Sequence, residues 1–529
     1  MKKNNKIVIL FLSAIVLSFT ACIDSNLNID PNAATEEMMS RDDLKVGSFL
    51  TQMQRNVFIV GIDRDGAYQR AQNLAGDIYS GYMGATGAWN GGINPATYHL
   101  PYEDWTTTMF DNGYQNIMAP WNEIRKIAKE EFPQKYAVAT IIKVVGMHRV
   151  TDTYGPIPYT EYGAQAQVPY DSQEKIYDAF FAELTEAADI LTDYYTASGG
   201  ARAIAAEYDF IYQGNVINWI KFANSLRLRL AMRLTYVDLA KAKIQAEAAM
   251  NHVHGVMTSP SDIANLNRNS KFVYNHPLYE ICYNFKDVKM GATMDAYMNG
   301  YQDPRRLVYF NLASDGVYRG VRTGITITEK EKYANVIFSD LNVTTGSTMM
   351  WMTPAEVFFL RAEGAMRGWD MKATAQEMYE KGIETSFATL GVNNPAGYYA
   401  NTTLRPAAYT DPQTGVLQAA PASTLSIAWV NSGTGGSDAN KLERIITQKW
   451  LAMYPDGQEA WSEFRRTGYP RLFPVVDNHS GGRVNTGTQI CRLPYLSNEY
   501  LTNNQNVLIG VDLLGGADHA GTKLWWDKN

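Results

Sequence analysis

Cysteine is scarce in this chain of 529 residues: there are three, at positions 22, 282 and 491. Cys22 belongs to an N-terminal segment, and two cysteines as distant as Cys282 and Cys491 exclude a disulfide framework. They form either one bridge or a pair of buried thiols. Positive charge is thin as well. Lysine and arginine total 47 against 54 acidic residues, a formal charge of −7. No basic cluster occurs beyond the first residues, which argues against nucleic acid as a partner. Past the N-terminus no apolar run is long enough to cross a bilayer. The chain has no Walker loop, Rossmann fingerprint or serine nucleophile elbow. His252 and His254, two residues apart at an expected helix end, do not face the same way. The run Asp63-Arg64-Asp65-Gly66 lacks the further ligands and closing glutamate of a calcium loop. A glycosidase needs two carboxylates at a set separation across the scissile bond, and nothing in the sequence joins any two into such a pair. Neither a cofactor nor a metal is implied.

What is present begins with a targeting segment. Lys2, Lys3 and Lys6 form a basic start, Ile7 to Phe19 an apolar run, and Thr20-Ala21-Cys22 a small-residue site. Small residues directly before a cysteine resemble a lipobox, where a bacterial lipoprotein is cleaved and acylated; an ordinary signal peptide cut nearby is the other reading. Residues 1–21 are the expected signal, Cys22 the expected lipidation site and palmitate carrier, and residues 22–40, polar and containing Asp30-Pro31-Asn32, an expected tether. Loss of residues 1–21 removes three lysines and leaves a charge near −10.

The clearest structural pattern lies at Thr353 to Leu390. Thr353 suits an N-cap, Pro354 the first helical position, and Glu356 the third position of a capping box. Ala355, Phe358, Phe359, Ala362, Ala365, Met366 and Trp369 then recur at helical spacing. Gly368 stands where a left-handed C-cap ends the helix. A second helix with Met378, Tyr379, Gly382 and Ile383 on one face follows after a turn of about one residue and ends at Gly391. The pair reads as a tetratricopeptide-like hairpin, and one hairpin cannot bury its own faces, so others are expected. Further helices are predicted over Arg41 to Ile59, Ala67 to Tyr82, Asn116 to Lys129, Lys135 to Val150, Ser172 to Tyr194, Val216 to Tyr236, Val237 to Asn251, Lys441 to Tyr454 and Asp456 to Arg466. Residues 259–347 and 395–436 lose helical period and read as loop-rich insertions. Residues 475–529 read as mostly irregular. The fold class is all-α: one domain over 41–529, a helical-hairpin scaffold with a loop-rich region packed on it.

Several runs carry a family resemblance. They are Arg149 to Tyr159 (R-V-T-D-T-Y-G-P-I-P-Y), Trp219 to Ala231 (W-I-K-F-A-N-S-L-R-L-R-L-A), the hairpin at Thr353, and Ile446 to Leu451 (I-T-Q-K-W-L). Glu459 to Pro470 (E-A-W-S-E-F-R-R-T-G-Y-P), Arg492 to Tyr495 with Asn498-Glu499, and Lys523 to Asp527 (K-L-W-W-D) complete the set. In this order behind a lipobox, they resemble the SusD/RagB family of outer-membrane nutrient-binding lipoproteins. The resemblance implies an all-α fold on tetratricopeptide-like hairpins and an anchor facing the cell exterior. It also implies a SusC-like TonB-dependent transporter as partner, and a ligand that is an oligosaccharide or, in some branches, a peptide. It implies a binder and not an enzyme; a glycoside hydrolase is the lesser alternative. Arg227 and Arg229, which punctuate an apolar helix, are expected to pair with acids of neighbouring helices. Glu459, Glu463, Arg465 and Arg466 are expected to cap or pair.

Binding sugar without catalysis takes flat rings for the C–H faces and amide, carboxylate or guanidinium groups for the hydroxyls. The chain holds 33 tyrosines and 11 tryptophans, enough for such a surface or simply filler for a large helical core. The densest stretch is Asp77 to Trp105. Asp77, Tyr79, Tyr82, Trp89, Asn90 and Trp105 are its candidate ligand contacts, on a glycine-rich loop where the resemblance also places contacts. A second cluster, Tyr301 and Asp303 with Tyr297, Arg305 and Arg306, lies in the irregular middle. Alternatively these rings pack the loop onto the scaffold or face the transporter, and the protein is a lid without a ligand contact of its own.

Overall fold

The structure is a computed structural model and describes residues 44–529 apart from 62, 101, 102, 201 and 417. The expected signal segment, Cys22 and the tether lie outside the described residues. Contacts divide the chain between Lys45 and Val46, and the unit Val46–Asn529 holds the fold.

The longer helices are α1 (Leu44–Asn56), α2 (Asp65–Tyr68, continued by wider π-type turns over Gln69–Asp77), α3 (Glu103–Gly113), α4 (Ala119–Ala128), α5 (Pro133–Tyr154), α6 (Gln173–Ala197), α7 (Val216–Arg233), α8 (Leu239–Asn251) and α9 (Ala292–Gly300), then α10 (Pro354–Met366), α11 (Ala375–Leu390), α12 (Asp438–Ala452), α13 (Gly457–Thr467), α14 (Ser497–Thr502) and α15 (Asn504–Leu514). Strands among the described residues are short and pair only two by two: β1 (Met83–Ala85), β2 (Ile157–Pro158), β3 (Tyr170–Asp171), β4 (Ala264–Leu266), β5 (Val288–Met290), β6 (Met349–Met352), β7 (Tyr409–Thr410) and β8 (Gln418–Ala419), in the antiparallel pairs β1–β5, β2–β3, β4–β6 and β7–β8. The chain is predominantly helical, with tetratricopeptide-like hairpins.

The hairpin helices start where a short polar side chain can satisfy the first backbone N–H groups. Ser172, Asn215, Asp238, Thr353, Thr374, Ser437 and Asp456 each accept such a bond. Their partners are apolar faces. In the α10/α11 hairpin, Gly382 lies so close to Phe359 that a Cβ there would sit 2.7 Å from the ring. Gly368 takes φ +79 at the end of α10. Its N–H goes to Ala365 and that of Trp369 to Gly364, a Schellman closure. Two details differ from expectation. The helices are joined by residues 367–374 and not by a one-residue turn, with the capping box formed at Thr374 and Glu377 instead of at Thr353. Glu356 is drawn into the core, where Arg229 Nε and Nη2 donate to its two oxygens at 2.8 and 2.6 Å.

Helix α5 is buried from Lys135 to Tyr154. Its polar residues are therefore all engaged, as burial demands: Lys143 meets Glu183 at 2.6 Å, Arg149 meets Asp456 at 3.0 Å, and Asp152 accepts from Tyr177 and Trp526. From this helix a buried ionic cluster crosses the interior. Arg233 meets Glu459 at 2.6 Å and Glu463 at 2.5 Å, Lys449 meets Glu463 at 3.0 Å, and Arg466 meets Glu363 and Glu463, each at 2.7 Å. The ion pairs expected of Arg229, Glu459, Glu463 and Arg466 are thus present. Arg227 instead donates to Gln245. Cys282 and Cys491 are both buried free thiols.

Two regions read as irregular contain structure built from distant partners. Residues 259–347 hold β4, β5 and α9, and the alternating run Gly324 to Thr328 forms no strand. The C-terminal stretch holds α14 and α15, closed by Gly515 at φ +69.

Candidate functional site

The aromatic loop between α2 and α3 is rooted by β1, which pairs with β5 in the register Met83↔Met290, Gly84↔Lys289, Ala85↔Val288. Gly84 permits a close third layer: a Cβ there would lie 2.6 Å from the Val321 carbonyl oxygen. Further on, Gly92 takes φ +90 and abuts the Ile327 backbone at 2.7 Å from its would-be Cβ. Asn94 and Thr97 form a capping box around the short helix Pro95–Thr97. The Thr97 carbonyl accepts from the His479 N–H at 2.8 Å. Thr326 links the next layer, its N–H donating to Asp477 at 2.7 Å and its hydroxyl lying 3.1 Å from His479 Nε2. Segments separated by hundreds of residues thus hold one loop rigid.

On this base stand two tryptophans. Trp89 lies over Gly87, whose would-be Cβ is 2.6 Å from the indole. It meets Trp105 edge to face at 5.6 Å between centroids and 86° between planes. Both rings are half-buried. Asn90 beside them is exposed and left-handed (φ 52, ψ 41), with its Nδ2 donating to the Ile93 carbonyl at 3.1 Å. Its Oδ1 has no partner among the described residues. A cavity of about 220 Å³ opens beside the loop, lined by Tyr98, His99, Leu100, His479, Arg483 and His519.

The other expected contacts are placed elsewhere. Asp77 is fully buried and accepts from Gln72 at 2.9 Å and Asn73 at 3.1 Å. Burial pushes its carboxyl up to about 7, against the pull of those two bonds. Its backbone is pressed against Gly457, where a Cβ would come within 2.4 Å of Asp77 Cα. Tyr79 donates to the Pro95 carbonyl, and Tyr82 stacks on Trp450 at 5.2 Å and donates to the Trp450 carbonyl. Both phenols are raised by burial. Tyr301 donates to Leu425. Asp303 forms an entirely buried ion pair with Arg305 at 2.6 Å and accepts from Tyr398 at 2.6 Å. Asp77, Tyr79, Tyr82, Tyr301 and Asp303 are thus buried and bonded within the fold, where the expectation had placed them at the surface. Trp89, Asn90 and Trp105 remain together at the surface. Thr326 and His479 carried no local signal because only the fold brings them to this loop.

Chemically this is a surface of ring faces and single hydrogen-bonding groups. Among the described residues no group of three or more His, Cys, Asp or Glu could hold a metal ion. No helix there is long and apolar enough to cross a membrane.

A family model for SusD-like proteins, described as SusD and RagB outer-membrane lipoproteins, matches residues 26–527. The chain belongs to the SusD-like family. Solved structures agree with this assignment. A chitin-binding SusD homolog from Flavobacterium johnsoniae is 41% identical, with a TM-score of 0.87 over 92% of this chain and 99% of that one. A SusD homolog from Bacteroides uniformis is 36% identical, with a TM-score of 0.85 over the same shares. One from Bacteroides vulgatus is 32% identical, with a TM-score of 0.84 over the same shares. A comparison with curated protein sequences gave no match. SusD-like proteins bind carbohydrate and are not enzymes.

Proposed function

We propose that this SusD-like protein is a lipid-anchored capture protein on the outer face of the outer membrane, which binds oligosaccharide and passes it to a SusC-like TonB-dependent transporter. The observation that carries the reading is the Trp89–Trp105 pair with Asn90, held at the surface by a loop fastened on three sides. A half-buried indole offers one apolar face to the C–H side of a pyranose, and an amide beside it supplies a directional bond to a hydroxyl. Chitin oligosaccharides are the first ligand to try, because a relative at 41% identity is described as chitin-binding.

Calorimetry of the soluble chain, residues 23–529, with chitin oligosaccharides tests the reading. Trp89→Ala and Trp105→Ala should each weaken binding about ten-fold, which corresponds to about 1.4 kcal/mol. Undiminished binding by both variants would remove the tryptophans from the site. A peptide ligand is the second reading of the same surface. Identification of material that co-purifies from peptide and glycan mixtures decides between the two. Transfer to a transporter is tested by co-purification from outer-membrane extracts.

A further inference from the structure

Three of the chain's seven histidines, His99, His479 and His519, line the cavity of about 220 Å³ beside the aromatic loop, so imidazole chemistry is concentrated there. That volume falls below the about 300–1,000 Å³ of pockets that enclose a whole small ligand. It suits one unit of a longer molecule. The loop that carries Trp89 supplies one wall, through Tyr98, His99 and Leu100. The segment that supplies another is fastened to that loop: the His479 N–H donates to the Thr97 carbonyl at 2.8 Å, and His479 Nε2 lies 3.1 Å from the Thr326 hydroxyl.

The polar groups around the cavity divide into engaged and open. Asp518 is engaged: Arg492 Nη1 donates to it at 2.5 Å, the Tyr495 N–H at 3.1 Å and the Tyr500 hydroxyl at 2.8 Å. Ser480 Oγ accepts from the Val484 N–H at 3.1 Å, and the Tyr98 hydroxyl donates to Gln489 at 3.2 Å. By contrast, the half-buried His99 imidazole and the exposed Arg483 guanidinium have no partner among the described residues. His519 Nδ1 accepts from the Gly521 N–H at 3.1 Å. In the neutral ring this leaves the proton on Nε2, which is free to donate. Between these groups the wall is apolar, made by Leu100, Val484, Pro494 and Ala520. The side-chain groups left open are therefore mainly donors, set in an apolar wall.

We propose that this cavity takes the acetamido group of an N-acetylated sugar, one unit of a glycan bound at the tryptophan loop. Arg483 and His519 Nε2 donate to the acetamido carbonyl oxygen, His99 accepts from its N–H, and its methyl group packs on Leu100 and Pro494. A hydroxyl in the same place is a poorer match. Its proton calls for an acceptor where the open groups are mainly donors, and it brings no methyl to cover the apolar wall. The proposal rests on the reading of the chain as a glycan binder, and adds to it a site that chooses between sugars.

The test is calorimetry of the same soluble chain with two β-1,4-linked hexamers, one of N-acetylglucosamine and one of glucose. They differ only in that an acetamido group replaces the C2 hydroxyl. The acetylated hexamer should bind about ten-fold more tightly or better, the effect of two hydrogen bonds and a covered methyl group. A double variant, His99→Phe with Arg483→Met, keeps the bulk of both side chains and costs no internal side-chain bond. It should bring the ratio of affinities down to about two or below. Trp89→Ala should weaken both hexamers by a similar factor and leave the ratio in place, because a ring face meets the C–H side that the two sugars share. Equal affinity for the two hexamers in the unaltered chain overturns the proposal and leaves the glycan reading standing. A preference that survives the double variant overturns it too. Binding of neither hexamer removes the acetamido site, and a glycan array then decides the wider reading separately.

Discussion

Replacing Arg233 by methionine probes the buried ionic cluster most directly. Its guanidinium donates to Glu459 and Glu463 at 2.6 and 2.5 Å and lies 3.5 Å from Asp152. All four groups are at most 2% exposed. Methionine keeps most of the volume but removes the charge, so the cost is electrostatic and not a cavity. Arg229, Lys449, Arg466 and Arg367 remain to balance Glu356, Glu363, Glu459, Glu463 and Asp152. One buried carboxylate is then uncompensated, and breaking such a pair costs about 3–5 kcal/mol. With an unfolding entropy on the order of 1 kcal/mol/K for a chain of this size, calorimetry should show a fall in Tm of about 3–5 °C.

The pH dependence gives a second check on the same variant. Burial opposes ionisation of Glu459 and Glu463, but the surrounding Arg233, Arg466, Arg229 and Lys449 charges outweigh it and hold both carboxyls below the usual range. A carboxyl depressed in the folded state contributes stability above its unfolded pKa and loses it as pH falls through the folded value. Without Arg233 that contribution shrinks or reverses. A carboxyl raised in the folded state favours folding at low pH and loses the advantage as pH rises. The penalty of Arg233→Met should therefore be larger at pH 8 than at pH 5. Adding Glu463→Gln should recover part of the loss, a coupling read from the double-mutant cycle. A loss below about 1 kcal/mol, or a loss unchanged between pH 5 and 8, refutes the charge-balance reasoning.

Other outcomes follow from single contacts. Asp77 has its folded pKa raised to about 7 by burial. Its contribution should favour folding at low pH and fade as pH rises through 7, and Asp77→Asn should flatten that part of a stability-against-pH curve. Gly457→Ala would place a Cβ 2.4 Å from Asp77 Cα and 2.5 Å from its backbone nitrogen. With backbone on both sides and little room to yield, it should lose about 2 kcal/mol or more in urea unfolding. Thr374→Ala removes the capping box of α11, in which Thr374 and Glu377 bond reciprocally. A loss of about 1 kcal/mol is expected in the same assay.

The sequence by itself determined the helical scaffold. Capping residues such as Thr353, Ser172 and Asn215 act within three residues of themselves, and apolar repeats act within two turns, so hairpin helices are written locally. The family pattern is legible for the same reason, since it consists of short runs in order. What the sequence could not show is which aromatic and acidic residues face solvent. Asp77, Tyr79 and Tyr82 stand in the same stretch as Trp89 and Trp105. Their burial is decided by Gly457, Trp450 and Pro95, which pack against them across the fold.

Tertiary structure alone decided which of these side chains reach the surface. It separated the half-buried Trp89 and Trp105 and the exposed Asn90 from their buried neighbours and brought Thr326 and His479 to their loop. It also set Arg233 and Arg466 each between two glutamates. These are questions of distance between groups far apart in the chain. Burial and charge pairing depend on that distance, and no local pattern of residues encodes it.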